Sequence, residues 1–351
     1  ASLELRNFYM NRDFRHSDQT HEKLNPKTYT AGQPRQSKAE EWAQGFLFRY
    51  ESGYTEGTVG VGVDAMGFAG FKLNGGGGTK ETGVLPFRKT GNNPHSSYGE
   101  IGATFKAKLS NSVLKAGTLM PKTPVVSSGD SRLLPQTFTG VSVNIQEVNN
   151  LNIDLGRLGR TNSRSSTNNE AMRPWVAQNT GFSKKTADRD GTRTLRTNHR
   201  TSSKFDFASG SYTWGDTGLK TGYHYGQLHD VYKQHILNGV YTHKIADNQA
   251  ITADLRYAKT KEDGRSGIDN KAVSGLLSYK LGHSNFAVGY QKMSGDTGYA
   301  YLAETDPFLA NYVQVRDFAA TDEQSWQVRY IHDFASVGVP GLTLMTRYIR
   351  G

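Results

Sequence analysis

The chain has 351 residues, among them 39 Gly, 18 Tyr, 16 Phe and no Cys; it is 35% hydrophobic and carries a formal net charge of +10. No apolar run approaches the roughly 20 residues of a spanning helix, which excludes a helical membrane protein, and no linker marks the boundary of a two-domain soluble protein. The missing cysteines remove disulfides and thiolate metal sites. Lys and Arg are scattered rather than clustered, so an anion-attracting interior explains the charge better than a nucleic-acid partner does.

From the first residues the pattern is period two. Ala1 to Met10 already alternates and carries charge, so the chain reads as processed rather than as opening on a leader. Trp42, Phe46, Phe48 and Tyr50 then alternate with Gly45, Arg49 and Glu51, and Val59, Val61 and Val63 with Gly60, Gly62 and Asp64. The clearest stretch follows, with Ile101, Ala103, Phe105, Ala107 and Leu109 on one face and Glu100, Gly102, Thr104, Lys106 and Lys108 on the other. Two lysines and a glutamate inside a dry sandwich are costly, so this second face is expected to meet water.

The alternation continues through Val141, Val143 and Ile145, through Leu151, Ile153 and Leu155, and through Ile251 to Tyr257 opposite Asp254 and Arg256. It closes with Phe286, Val288 and Tyr290, then Trp326, Val328 and Tyr330 opposite Gln327 and Arg329, then Leu342, Leu344 and Tyr348 opposite Thr343 and Arg347. Short turns are expected near 52–56, 110–111, 147–150, 215–216, 246–248 and 282–284, and long polar segments near 15–40, 72–96, 121–137, 157–204 and 292–324. Short turns at one end and long loops at the other predict an all-β, transmembrane antiparallel β-barrel over 1–351, a single domain with its long loops outside the cell. About fifteen strands fit, an odd number; because single-chain bacterial barrels close on an even count, C-terminal strands are expected to be missing.

The segment Pro121 to Gln136 is richer in Pro and apolar residues than a solvated loop, so it is expected to fold into the lumen and to present Asp130 and Arg132 at a constriction. There Asp130 is expected to sit beside Arg132 and temper its field.

Four blocks now matter: LELRNFYMNRDFR at 3–15, EWAQGFLFRYESGYTEGTVGVGVDAMG at 41–67, GDSRLLPQTFTG at 129–140 and VPGLTLMTRYIRG at 339–351. With them the chain resembles the OprD-type outer-membrane carboxylate channels. That resemblance implies an 18-stranded monomeric barrel in the bacterial outer membrane, in contact with its lipid and lipopolysaccharide. It also implies a row of arginines that leads a small carboxylate solute past an eyelet of inward-folded loops. Carried onto this sequence, the row comprises Arg6, Arg12, Arg49, Arg132 and Arg347, with Arg329 added by parity, and the eyelet comprises Asp130, Ser131 and Arg132. Arg12 shares its parity with Phe8 and Met10, which blurs its assignment to the lumen. The stretch TDPFLANYVQVRDFA at 305–319 resembles the branch for cyclic or aromatic carboxylates.

Other classes fare worse. A barrel hydrolase needs a nucleophile, a histidine and an orienting group together, yet no Gly-x-Ser-x-Gly occurs, and His224, His235 and His243 read as wall residues. The glycine run at 75–78 lacks the Gly-Lys-Ser/Thr of a phosphate loop. No metal or other cofactor is implied. A non-selective porin remains the nearest alternative to a selective channel.

Overall fold

The computed structural model describes residues 1–13, 38–76, 79, 82–87, 93–177 and 200–351. The expected loops at 15–40, 72–96 and 157–204, with the glycine run at 75–78, fall partly outside the described residues.

Strands dominate, and among the described residues there is no α-helix. In chain order the strands are β1 (Ser2–Asp13), β2 (Lys38–Tyr50), β3 (Val59–Asn74), β4 (Ser97–Leu109), β5 (Ser112–Leu119), β6 (Lys122–Thr123), β7 (Val126–Ser127), β8 (Thr137–Ile145), β9 (Leu151–Asn162) and β10 (Asn169–Glu170). There follow β11 (Pro174–Val176), β12 (Phe205–Thr213), β13 (Leu219–Leu228), β14 (Tyr232–Ala246), β15 (Gln249–Glu262), β16 (Asp269–Leu281), β17 (Ser284–Ser294), β18 (Ala300–Leu302), β19 (Gln324–Asp333) and β20 (Thr343–Arg350). Fifteen of them make one antiparallel wall, β1-β2-β3-β4-β5-β8-β9-β12-β13-β14-β15-β16-β17-β19-β20. That is the number the alternation predicts.

Connections at one end of the wall are short, such as 110–111 and 282–283, whereas at the other end 120–136 and 295–323 are long. Two connections depart from the expectation: 229–231 and 263–268 lie at the long-loop end and are short. The expected loop boundary at 157 is also too early. Arg157 to Asn162, polar apart from Leu158 and Gly159, remain in β9, because β8, β12 and β10 take up their backbone hydrogen bonds.

Facing follows the alternation. Ile101 is 93% exposed, and Phe46, Val63, Leu255 and Val288 are exposed with it on the outer surface, where lipid rather than water is the neighbour. The inner surface is not uniformly wet. Toward the long-loop end it carries Leu47, Phe68, Leu158, Phe205, Ile236 and Met293, all buried against inward-folded loops in two apolar clusters. Phe8 and Met10 pack on the second cluster beside Leu133 and Leu134, so their shared parity with Arg12 is itself inward. Lys106 also departs from expectation. Rather than lying in open water it is 5% exposed, held by Asp64 at 2.5 Å and the Ser52 carbonyl at 2.7 Å, beneath the Tyr54 ring. Its burial is tolerated because the charge is paired and hydrogen-bonded.

Candidate functional site

The segment 120–136 does fold inward and crosses the lumen. Leu133, 0% exposed, seats against β2 and β3, where a Cβ on Gly70 would lie 2.9 Å from its Cδ2. Val125 packs at the far wall, with its Cβ 3.0 Å from the Cβ position of Gly226 on β13. Each such buried side chain is worth roughly 1.5–3 kcal/mol, enough for several together to hold the crossing segment in place.

Two further loops complete the constriction. Asp306 donates its backbone N–H to the Ser127 carbonyl at 3.0 Å, Gln136 donates to the Ala303 carbonyl at 2.9 Å, and Gln314 donates to the Ser131 carbonyl at 2.8 Å. From the segment after β9, Arg164 reaches the Ser131 hydroxyl at 2.8 Å and takes Glu304 as its carboxylate. Gly129 is required here: a Cβ would stand 1.9 Å from the Glu304 carbonyl oxygen. Ser131 is thus the point where three loops meet. Burial raises the Asp306 carboxyl above the usual aspartate range, and a hydrogen bond from Tyr312 at 2.9 Å opposes that shift.

The expected arginines divide into two kinds. Arg6 on β1 donates to Asp130 at 2.6 and 3.3 Å and to the Arg132 carbonyl at 3.0 Å, and it also pairs with Glu4, which reaches Arg49 at 3.2 Å. Asp130 therefore neutralises Arg6 rather than Arg132. Arg132 is 8% exposed and spends its donors on the Thr82 and Ser131 carbonyls; burial, then the nearby charge of Arg164, lowers its pKa from the ordinary value. Arg12 stands at the exposed end of β1.

Arg329 and Arg347 are different. They are register partners on β19 and β20 and share the inner face, and the buried Nε of each has no hydrogen-bond partner. Neither has a carboxylate within ion-pairing distance among the described residues. Facing strand backbones are about 5.5 Å apart, so the two like charges lie near enough to repel, more strongly at the lower effective dielectric of a protein surface than in bulk water.

Toward the short-turn end the constriction opens into a cavity of about 600 Å³, lined among others by Arg49, Asp64, Lys115, Lys122, Asp130 and Asp154. Sequence reasoning missed Arg164, Glu304, Asp306, Tyr312 and Gln314. The signal was available, since Pro307, Phe308 and Leu309 give their segment the same apolar character that singled out 121–136. Arg256, already assigned to the lumen by alternation, stacks over Phe308 at 4.0 Å and pairs with Asp254 at 2.5 Å. His224 lies on the inner wall between Ser209 at 2.5 Å and Asn238 at 2.8 Å, both as hydrogen-bond partners, whereas His235 bonds Tyr223 on the outside. Among the described residues no group of three or more potential ligands is placed to hold a metal.

A β-wall with an apolar exterior, a loop-built constriction and a polar cavity beneath it define an outer-membrane channel. The model of the OprD family, described as an outer membrane porin, matches residues 1–351. The porin-like protein GalP of Pseudomonas putida is 36% identical over 355 residues, covering 100% of this chain and 77% of that protein. Among solved structures, Pseudomonas aeruginosa OpdQ is 49% identical with a TM-score of 0.79, covering 99% of this chain and 80% of its own. Pseudomonas aeruginosa OpdK, solved with vanillate, is 32% identical with a TM-score of 0.81 at the same coverage. The chain belongs to the OprD family of outer-membrane porins. Its relatives are channels rather than enzymes, which removes the hydrolase alternative.

Proposed function

We propose that this porin is selective: a monomeric channel for passive uptake of small carboxylate solutes, led by Arg6, Arg12, Arg49, Arg132, Arg329 and Arg347 past the eyelet around Asp130 and Ser131. The observation that carries the reading is the unpartnered pair Arg329 and Arg347 on the inner face. Two adjacent guanidiniums whose Nε atoms lack a partner, with no carboxylate in ion-pairing distance among the described residues, make a site that gains from an incoming anion. Arginine suits the task because its planar fork grips a carboxylate in two places and stays charged at any physiological pH. Release matters as much as capture. Several hydrated, moderately attractive stations in series let the solute leave again, as one tight pocket would not; the carboxylates that temper Arg6 and Arg49 fit that requirement.

The aromatic branch is favoured by two things: the 305–319 segment lies in the constriction with Phe308 and Tyr312, and the relative OpdK was solved with the aromatic acid vanillate. The wall sits in outer-membrane lipid, whose lipopolysaccharide is a partner by position. Uptake into liposomes tests the reading. Benzoate should enter much faster than arginine or a neutral sugar of similar size, and equal rates for all three would mark a non-selective porin instead.

A further inference from the structure

On the outer surface of β14 to β17 the apolar belt ends in a compact field of cations. Along β15 the outward positions run Ile251, Ala253, Leu255, Tyr257, Lys259, Lys261, so the change from lipid-compatible to basic is abrupt. Register sets His235 of β14 opposite Lys259 and Lys259 opposite Lys271 of β16. Lys292 of β17 stands opposite Val273, one step along the same face. Neighbouring strands are about 4.8 Å apart, so the row His235, Lys259, Lys271 spans only about 10 Å.

The next row toward the loops holds Lys233 and Lys261, and these are already answered. Lys233 pairs with Asp263 at 3.0 Å and Lys261 with Asp269, while Glu262 and Asp296 add to the field at Lys261. Lys259, Lys271 and Lys292 have no carboxylate within ion-pairing distance among the described residues. The face across the wall differs at the same end: outward positions on β1 and β2 are Tyr9, Asn11, Asp13, Lys38, Glu40 and Trp42, and there the one lysine is answered by Glu40, which also accepts from Tyr9. His235 lies against Tyr223 and Tyr225, amphipathic aromatics of the kind that girdle a barrel where hydrocarbon gives way to head groups.

From this placement we infer that Lys259, Lys271 and Lys292 form a docking site for the phosphates of an outer-leaflet lipid head group, whose acyl chains lie along the apolar strip Leu255, Tyr257, Val273 and Tyr290. The long-loop end faces the outer leaflet, and each lysine stem extends over hydrocarbon while its ammonium reaches the phosphate layer. This site is on the outside of the barrel and is independent of the solute reading, since conductance does not report on it.

The test uses the full chain in an uncharged detergent, titrated with bis-phosphorylated lipid A and followed by native mass spectrometry. Lysine at an anionic lipid surface contributes roughly fivefold each. The K259Q/K271Q/K292Q variant should therefore bind on the order of a hundredfold more weakly, and K271Q alone about fivefold more weakly. Single-channel conductance should stay at the wild-type value and confirm a folded barrel. Dephosphorylated lipid A should bind wild type and variant alike and weakly, and millimolar inorganic phosphate should not compete. Unchanged lipid A binding by K271Q or the triple variant overturns the site; equal binding of the dephosphorylated lipid, or displacement by inorganic phosphate, overturns the lipid-phosphate assignment.

Discussion

Arg6 and the pair Arg329 and Arg347 face the same lumen, and they differ in what stands beside them. Arg6 is gripped by Asp130 and Glu4 and holds the end of the crossing loop through the Arg132 carbonyl. Arg329 and Arg347 face each other across a strand pair with buried Nε atoms unpartnered. In the first arrangement two carboxylates offset the arginine's charge; in the second, under the proposed function, the charge is left for an anion to answer. Counting arginines on the inner face therefore overstates its positive charge, because neighbouring carboxylates offset some of them.

The sharpest way to break this contrast is to open the eyelet that both regions serve. Any Cβ at Gly129 collides with the Glu304 carbonyl, so G129V should separate the segments 120–136 and 295–323, raise single-channel conductance severalfold and erase differences between solutes; unchanged conductance would show that the loops do not set the pore. Next in size, D130N removes the carboxylate that answers Arg6. Anion preference should rise in bi-ionic measurements while the loop loosens, whereas R6Q should lower anion preference far less than R329Q does.

A smaller effect is expected from pH. Because burial holds the Asp306 carboxyl above its usual range, it takes up its proton before exposed aspartates as pH falls. The eyelet then loses a negative charge, and anion preference should climb on the acid side of neutrality. D306N should reproduce the acid value at neutral pH and flatten that step; a step of full size in D306N would assign it to another group. Smallest of all, F308A removes the ring beneath Arg256, a contact worth roughly 0.5–2 kcal/mol, and should weaken aromatic solute uptake a fewfold with little change in conductance.

The wall was legible because alternation is a local property. Ile101 and Lys106 differ in kind at the level of neighbouring residues, and period two places them on opposite faces before any contact is known. The eyelet was half legible. Leu133 and Val125 mark an inward loop by being too apolar for solvent, but proximity along the chain points Asp130 at Arg132, whereas its partner is Arg6, 124 residues away. Alternation puts Lys106 on the correct face but says nothing of its surroundings, because the turn residues Ser52 and Tyr54 that cover it leave no periodic trace. Which loop touches which is set by long-range register, and Gly129 against Glu304 is visible only once the strands are paired.

The zero-current potential of single channels in a salt gradient, wild type against R329Q/R347Q, tests the central claim most directly. An anion-selective wild type whose potential shifts several-fold in permeability ratio toward cations in the double variant is the predicted result. A wild type and variant with the same potential would contradict it and leave the pair a feature of the wall alone.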